Sequence, residues 1–173
     1  MIVLETDRLV LRRLTEDDAP FIFRLVNEPS WLEFIGDKGV RSLEDAREYL
    51  RTGPLAMYAR HGFGLYLVAC KEDPAPLGMC GLIKRDSLPD VDIGFAYIPE
   101  SWGKGYAVEA AAAVLAHGRD AFGLKRIVAI TSLDNASSIR VLAKIGLSFE
   151  RVIELAHIDP VQLFSLVFEQ VNG

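Results

Sequence analysis

Three strand-length runs follow one another with no helix between them: Phe63–Cys70, Leu77–Lys84 and Val91–Ile98. Only the short Pro- and Asp-containing segments Lys71–Pro76 and Arg85–Asp90 separate them. Connections this short cannot carry a crossover helix, so the three runs are predicted to pair as an antiparallel meander. That excludes a doubly wound parallel sheet, in which strand and helix alternate throughout. Alternation begins only afterwards. A helix is predicted over Tyr106–Phe122 with Gly123 as its cap, then a strand over Arg126–Thr131. A helix over Ala136–Ile145, stopped by Gly146, is followed by two strands, Ser148–Ala156 and Val161–Glu169, around the turn His157–Pro160.

Upstream, Arg8–Leu14 alternates as a first strand would. Thr15-Glu16-Asp17-Asp18 reads as a capping box before Phe21, Ile22, Leu25 and Val26, and Asn27-Glu28-Pro29-Ser30 stops that helix. Ser42-Leu43-Glu44-Asp45 opens a second helix that Gly53-Pro54 ends. The predicted order is β-α-α-β-β-β-α-β-α-β-β, a mixed α/β arrangement with α+β character. No linker, repeat or composition break interrupts residues 1–173, and that length suits a single domain. Half the residues are hydrophobic and a quarter charged, which excludes a disordered chain.

A net charge of −5 argues against a nucleic-acid partner, which calls for a basic face. No apolar run reaches the roughly 18 residues that span a bilayer, and the opening residues do not form a signal peptide, so no membrane association is expected. Cys70 and Cys80 lie in apolar runs and read as free thiols of a cytoplasmic protein. His61, His117 and His157 share no ligand spacing, and no metal is expected.

The most informative stretch runs from strand to glycine loop to helix, Val91–Ala113. Backbone N–H groups around Gly103 and Gly105, with the unpaired first N–H groups of the following helix, make an anion site. The Walker spacing fails here, and Val108 stands where a dinucleotide fingerprint needs its third glycine. No G-x-S-x-G elbow is present either.

Trp102-Gly103-Lys104-Gly105-Tyr106-Ala107 resembles the acyl-CoA loop R/Q-x-x-G-x-G/A of the GNAT superfamily, with Trp102 at the first position as in its RimJ/RimL-type branch. Thr6–Arg12 is similar to that branch's opening strand, and Asp134–Leu147 to its N-x-x-S-x-R-x-L-x-K-x-G-F segment. The resemblance implies a GNAT fold in which the fourth and fifth strands splay and acyl-CoA lies between them. It further implies an N-acetyltransferase moving acetyl from acetyl-CoA to a primary amine by direct attack in a ternary complex. The acceptor is a small molecule or a peptide N-terminus. A non-catalytic acyl-CoA-binding or regulatory module of the same fold is the alternative, and a phosphate-binding protein outside the superfamily is a third.

By position, the resemblance lays the pantetheine arm along Phe95, Ala96, Tyr97 and Ile98, like an added strand. It sets the pyrophosphate on Trp102, Gly103, Lys104, Gly105, Tyr106 and Ala107, with Asn135 and Ser138 touching the arm. Lys104, Arg140 and Lys144 are candidates for the remaining phosphate. Asp92 matches a general-base carboxylate found in some members, or else it is a solvated or capping carboxylate. The backbone N–H of Ala96 is the expected oxyanion donor. No Tyr lies between Asn135 and Gly146, so Ser138 is the hydroxyl left to assist the thiolate, or it serves the helix N-terminus with Asn135 as cap. Trp31 and Phe34 fall near the implied acceptor site, with packing as the plainer role.

Overall fold

The computed structural model describes residues 1–156 and 158–169, so His157 lies outside the described residues. Eight strands form one sheet: β1 (Ile2–Glu5), β2 (Leu9–Arg13), β3 (Leu65–Cys70), β4 (Pro76–Ile83), β5 (Asp92–Tyr97), β6 (Arg126–Ser132), β7 (Ser148–Ile153) and β8 (Val161–Val167). Their spatial order is β1-β2-β3-β4-β5-β6-β8-β7. Every neighbouring pair is antiparallel except β5 and β6, which run parallel. The predicted first strand is β2, so the splayed pair is β5 and β6.

Helices α1 (Ala19–Leu25), α2 (Pro29–Phe34), α3 (Leu43–Thr52) and α4 (Pro54–His61) precede the meander, while α5 (Tyr106–Phe122) and α6 (Ala136–Lys144) flank β6. Two of these and one strand go beyond the predicted order. Pro29 and Pro54 each end one helix and open the next, because proline at the first helical position lacks only an N–H that has no intrahelical partner there. Strand β1 is four residues long, half exposed and irregular in register, too short for a visible alternation.

Alternating side chains divide the sheet between two apolar layers. Tyr66, Val68, Cys80, Leu82, Ile93 and Tyr97 pack with Ala110, Ala111, Val114 and Leu115 of α5 and Leu142 of α6. Leu67, Ala69, Met79 and Ile98 face the other way, into Leu14, Ile22, Leu25, Trp31 and Leu50 of the α1–α4 layer. Helix α5 lies close on the sheet. A Cβ at Gly118 would stand 3.0 Å from Ile127 Cδ1 and 3.1 Å from Leu82 Cδ1, which explains glycine inside an otherwise alanine-rich helix. Among the described residues no helix is long and apolar enough to cross a membrane, and no group of three His, Cys, Asp or Glu side chains forms a metal cluster.

Candidate active site

Strands β5 and β6 meet at a single register pair, Asp92 with Val128, fastened by the Val128 N–H to the Val91 carbonyl at 3.0 Å. Beyond it, β5 stays paired with β4 through Tyr97, and β6 pairs with β8 along its whole length. The β6-facing edge of β5 is therefore open from Ile93 to Tyr97, a V with its vertex at Asp92.

Which backbone groups line that edge is set by the ladder. The Ile98 N–H bonds the Leu77 carbonyl at 3.0 Å, and the register continues without a bulge through Met79 and Ala96. Hydrogen-bonded pairs recur every second residue in an antiparallel ladder, so the Ala96 N–H points at β4. That corrects the expected oxyanion donor. The groups aimed into the V belong to Ile93, Phe95 and Tyr97, in step with the Val91 carbonyl that reaches β6. The Trp102 indole N–H donates to the Tyr97 carbonyl at 3.0 Å and leaves its ring 53% exposed beside the open end.

From β5 the chain turns through a 3-10 turn, Pro99–Ser101, in which the buried Ser101 hydroxyl bonds the Ile98 carbonyl at 2.8 Å. Gly103 (φ +76°) and Gly105 (φ +81°) adopt the left-handed conformation, and α5 starts at Tyr106 with no side chain capping it. A Cβ at Gly103 would meet nothing within 4 Å, so the loop borders open space on that side. The loop is braced from β2's side. Glu109 accepts from the Thr6 hydroxyl and from Arg8 through its backbone N–H at 3.0 Å and its Nε at 2.7 Å. Arg8 Nη1 in turn bonds the Lys104 carbonyl at 2.9 Å, and its guanidinium lies 4.7 Å from the Tyr106 ring centroid. In sequence Glu109 is an ordinary charge at a helix start, and Thr6 and Arg8 appear only within the family-like opening strand, with no sign that they brace the loop. Their signal, two polar residues beside a strand, is too common to single them out.

At the far lip, Asn135 Oδ1 caps α6 by accepting the Ser138 N–H at 3.2 Å, and the Ser138 side chain is half-buried. The hydroxyls of Thr131 and Ser132, at the end of β6, are buried without a hydrogen-bond partner among the described residues. Their only signal in sequence is that they close an apolar run. Lys104, Arg140 and Lys144 are exposed and make no ion pair among the described residues.

At the vertex, Asp92 is 1% exposed, not solvated, and both its oxygens accept from Arg85 Nε at 3.2 and 3.3 Å. Burial pushes its pKa up, against the opposing charge and hydrogen bond of Arg85 and the charge of Lys84. In sequence Arg85 does no more than begin a turn. Trp31 is 5% exposed within the α1–α4 core, its indole N–H unpartnered among the described residues, while Phe34 is half-buried at the end of α2.

Comparison with known proteins accounts for this arrangement. The family model described as "Acetyltransferase (GNAT) domain" matches residues 8–148. The "Uncharacterized N-acetyltransferase YoaA" of Bacillus subtilis (strain 168) is 33% identical over 153 residues, spanning 87% of this chain and 85% of its own. Among solved structures, the acetyltransferase from Agrobacterium tumefaciens str. C58 superposes with a TM-score of 0.81 at 23% identity, over 96% of this chain and 94% of that one. A RimL ribosomal L7/L12 alpha-N-protein acetyltransferase in complex with coenzyme A gives 0.82 at 20% identity, over 96% and 98%. At these identities the two structures speak for the fold alone.

Proposed function

Because the chain belongs to the GNAT acetyltransferase family and is thereby an acetyl-CoA-dependent N-acetyltransferase, we propose that its V-shaped opening is the transfer site, with the work divided among its residues. Acetyl-CoA supplies an acetyl group activated as a thioester. The cleft-facing groups of Phe95 and Tyr97 take the pantetheine amides as an added strand. The N–H groups from Gly103 to Ala107 take the pyrophosphate at the start of α5, with Lys104, Arg140 and Lys144 at hand for the remaining phosphate. Asn135 and Ser138 border the arm from α6.

Asp92 removes the proton from the incoming ammonium, a role suited to a carboxylate whose pKa is raised by burial. The amine nitrogen then bonds the acetyl carbon, and the carbon–sulfur bond breaks. A cleft-facing N–H, that of Phe95 in place of Ala96, stabilises the charge developing on the acetyl oxygen. Ser138 hydrogen-bonds the departing thiolate, which takes up the proton that the acylated nitrogen loses as the amide forms. The free thiols Cys70 and Cys80 fit a reducing compartment, which we take to be the cytoplasm.

The observation carrying this reading is an unpaired strand edge that runs directly into an uncapped, glycine-opened helix N-terminus. The test is release of free CoA thiol from acetyl-CoA with a mixed panel of small amines and peptide N-termini, beside calorimetry of acetyl-CoA binding. Turnover with a primary amine supports the assignment. Tight binding with no turnover across the panel leaves only the acyl-CoA-binding module.

A further inference from the structure

The turn between β4 and β5 is pinned on both sides of Arg85. Lys84 Nζ, just past the end of β4, donates to the Arg85 carbonyl at 2.7 Å and to the Leu88 carbonyl at 2.6 Å. The Leu88 N–H also bonds the Arg85 carbonyl, at 3.3 Å. Further along, Asp90 accepts from Arg126 Nε of β6 at 3.1 Å, and Arg126 Nη2 reaches both oxygens of Glu150 on β7 at 3.0 and 3.1 Å. Arg85 therefore leaves a backbone that is fixed to its own turn and tied through Asp90 to the neighbouring strands.

Asp92 lacks such support of its own. The last torsion of an aspartate side chain is broad, so nothing intrinsic fixes the plane of the carboxylate. Among the described residues Arg85 is the only side chain that hydrogen-bonds it, and its Nε lies almost equally far from the two oxygens, at 3.2 and 3.3 Å. A carboxylate has about four acceptor sites, so this one N–H orients the group and leaves places for an incoming ammonium. The charges around the vertex sort in the same way. Burial raises the carboxyl's pKa, while the Arg85 charge, its hydrogen bond and the Lys84 charge oppose that. Asp90, Arg126 and Glu150 are paired with one another. From the α1–α4 layer, Lys38 and Tyr49 are shifted first by burial and then by the Arg85 charge.

We propose that Arg85 is the positioning residue of the general base: from a turn pinned by Lys84 and Arg126, its Nε–H holds both oxygens of Asp92 in one orientation, and its charge keeps the buried carboxylate ionised for the amine. This rests on the assignment of Asp92 as the base. Arg85 itself touches neither amine nor thioester in this role.

The test reads Asp92 directly, by NMR titration of the carboxyl carbons in the folded protein with isotopically labelled aspartate, the signal being assigned by its loss in Asp92→Asn. Arg85→Gln is expected to move that titration upwards by about one pH unit, the low end for a lost neighbouring cation because Arg85 is 38% exposed. Arg85→Lys, which keeps the charge and loses the planar guanidinium, is expected to leave it near the wild-type value. In the CoA-release assay the acid limb of the pH profile should move with the carboxyl in Arg85→Gln. In Arg85→Lys the limb should stay in place while kcat falls about tenfold, the low end for a hydrogen bond to a charged group. A merely structural loss would lower the rate without moving the limb. An unmoved carboxyl titration in a folded Arg85→Gln overturns the inference. So does full kcat in Arg85→Lys, which also decides the matter should Arg85→Gln not fold. The reading of Asp92 as the base fails separately, if Asp92→Asn keeps the acid limb or if no amine turns over. The carboxyl titration then still decides whether Arg85 holds Asp92.

Discussion

The proposed chemistry concentrates on one side chain, Asp92, and its surroundings set what its removal should do. Asp92→Asn keeps the shape and removes the basicity. The proposed role predicts a fall in kcat of roughly 10²–10⁴, the range for a positioned general base, with acetyl-CoA affinity nearly unchanged. The raised pKa fixes the sign of the pH dependence. The wild-type rate should fall as pH drops through a value above the ordinary aspartate range, and the variant should lack that limb. Unchanged kcat with a higher KM for the amine would make Asp92 a binding group instead. A second carboxylate is a structural counterpart. Asp18 accepts from Arg12 at 2.8 and 2.9 Å and from the Thr15 N–H at 2.9 Å. Burial alone would raise its pKa, but those bonds and the Arg12 charge outweigh it and hold the carboxyl below its usual value. A depressed carboxylate adds stability above its unfolded pKa and loses it as pH falls through the folded one. Asp18→Asn should therefore cost about 1–3 kcal/mol at neutral pH. In denaturant titrations that deficit should close below about pH 4. Asp92 is visible in sequence as a strand carboxylate on the same face as Gly94 and Ala96, but its burial is not, because its partner approaches from a turn whose path no local pattern specifies. Alternation of side chains is equally visible. The direction of the Ala96 N–H is not, since that depends on the register with β4.

Among the elements, α5 and the loop before it are the most legible: Tyr106–Phe122 is the span expected, set by alanine-rich periodicity and by glycines at both ends. What sequence does not show is how the loop is held. Gly105 is required for two reasons, its positive φ and the Arg8 Nη2 lying 3.3 Å from where a Cβ would stand. Gly105→Val should thus strain the backbone and push the guanidinium off the Lys104 carbonyl. Strain of this kind costs about 1–3 kcal/mol, so acetyl-CoA should bind at least about tenfold more weakly in calorimetry. Circular dichroism should remain that of a folded chain, since α5's packing face is untouched. Near-normal affinity would mean that the phosphates are held elsewhere. The prolines teach the opposite lesson. Pro29 and Pro54 read as stops in sequence, and each is a stop and a start at once. Proline marks a break in the chain but not the kind of element beyond it, so a pattern read for breaks undercounts the helices α2 and α4.

For the molecule as a whole, the split sheet has a thermodynamic consequence. β5 and β6 share one backbone junction and are otherwise joined by α5, so the two halves of the sheet meet across a seam that the chain does not close. If the pantetheine occupies that seam, binding stabilises only the folded state. Acetyl-CoA at about a hundred times its dissociation constant should then add about 2.7 kcal/mol, read as a rise in Tm that grows with the logarithm of ligand concentration. Gly105→Val should lose most of that rise. A Tm indifferent to acetyl-CoA would show that the seam is not where it binds. On the reading that acyl-CoA fills the seam, translation delivers a sheet held across it by a single rung, the remaining rungs to be completed by a metabolite. How long each copy survives proteolysis would then track acyl-CoA supply, so that abundance, and not turnover alone, becomes a readout of the cell's carbon state.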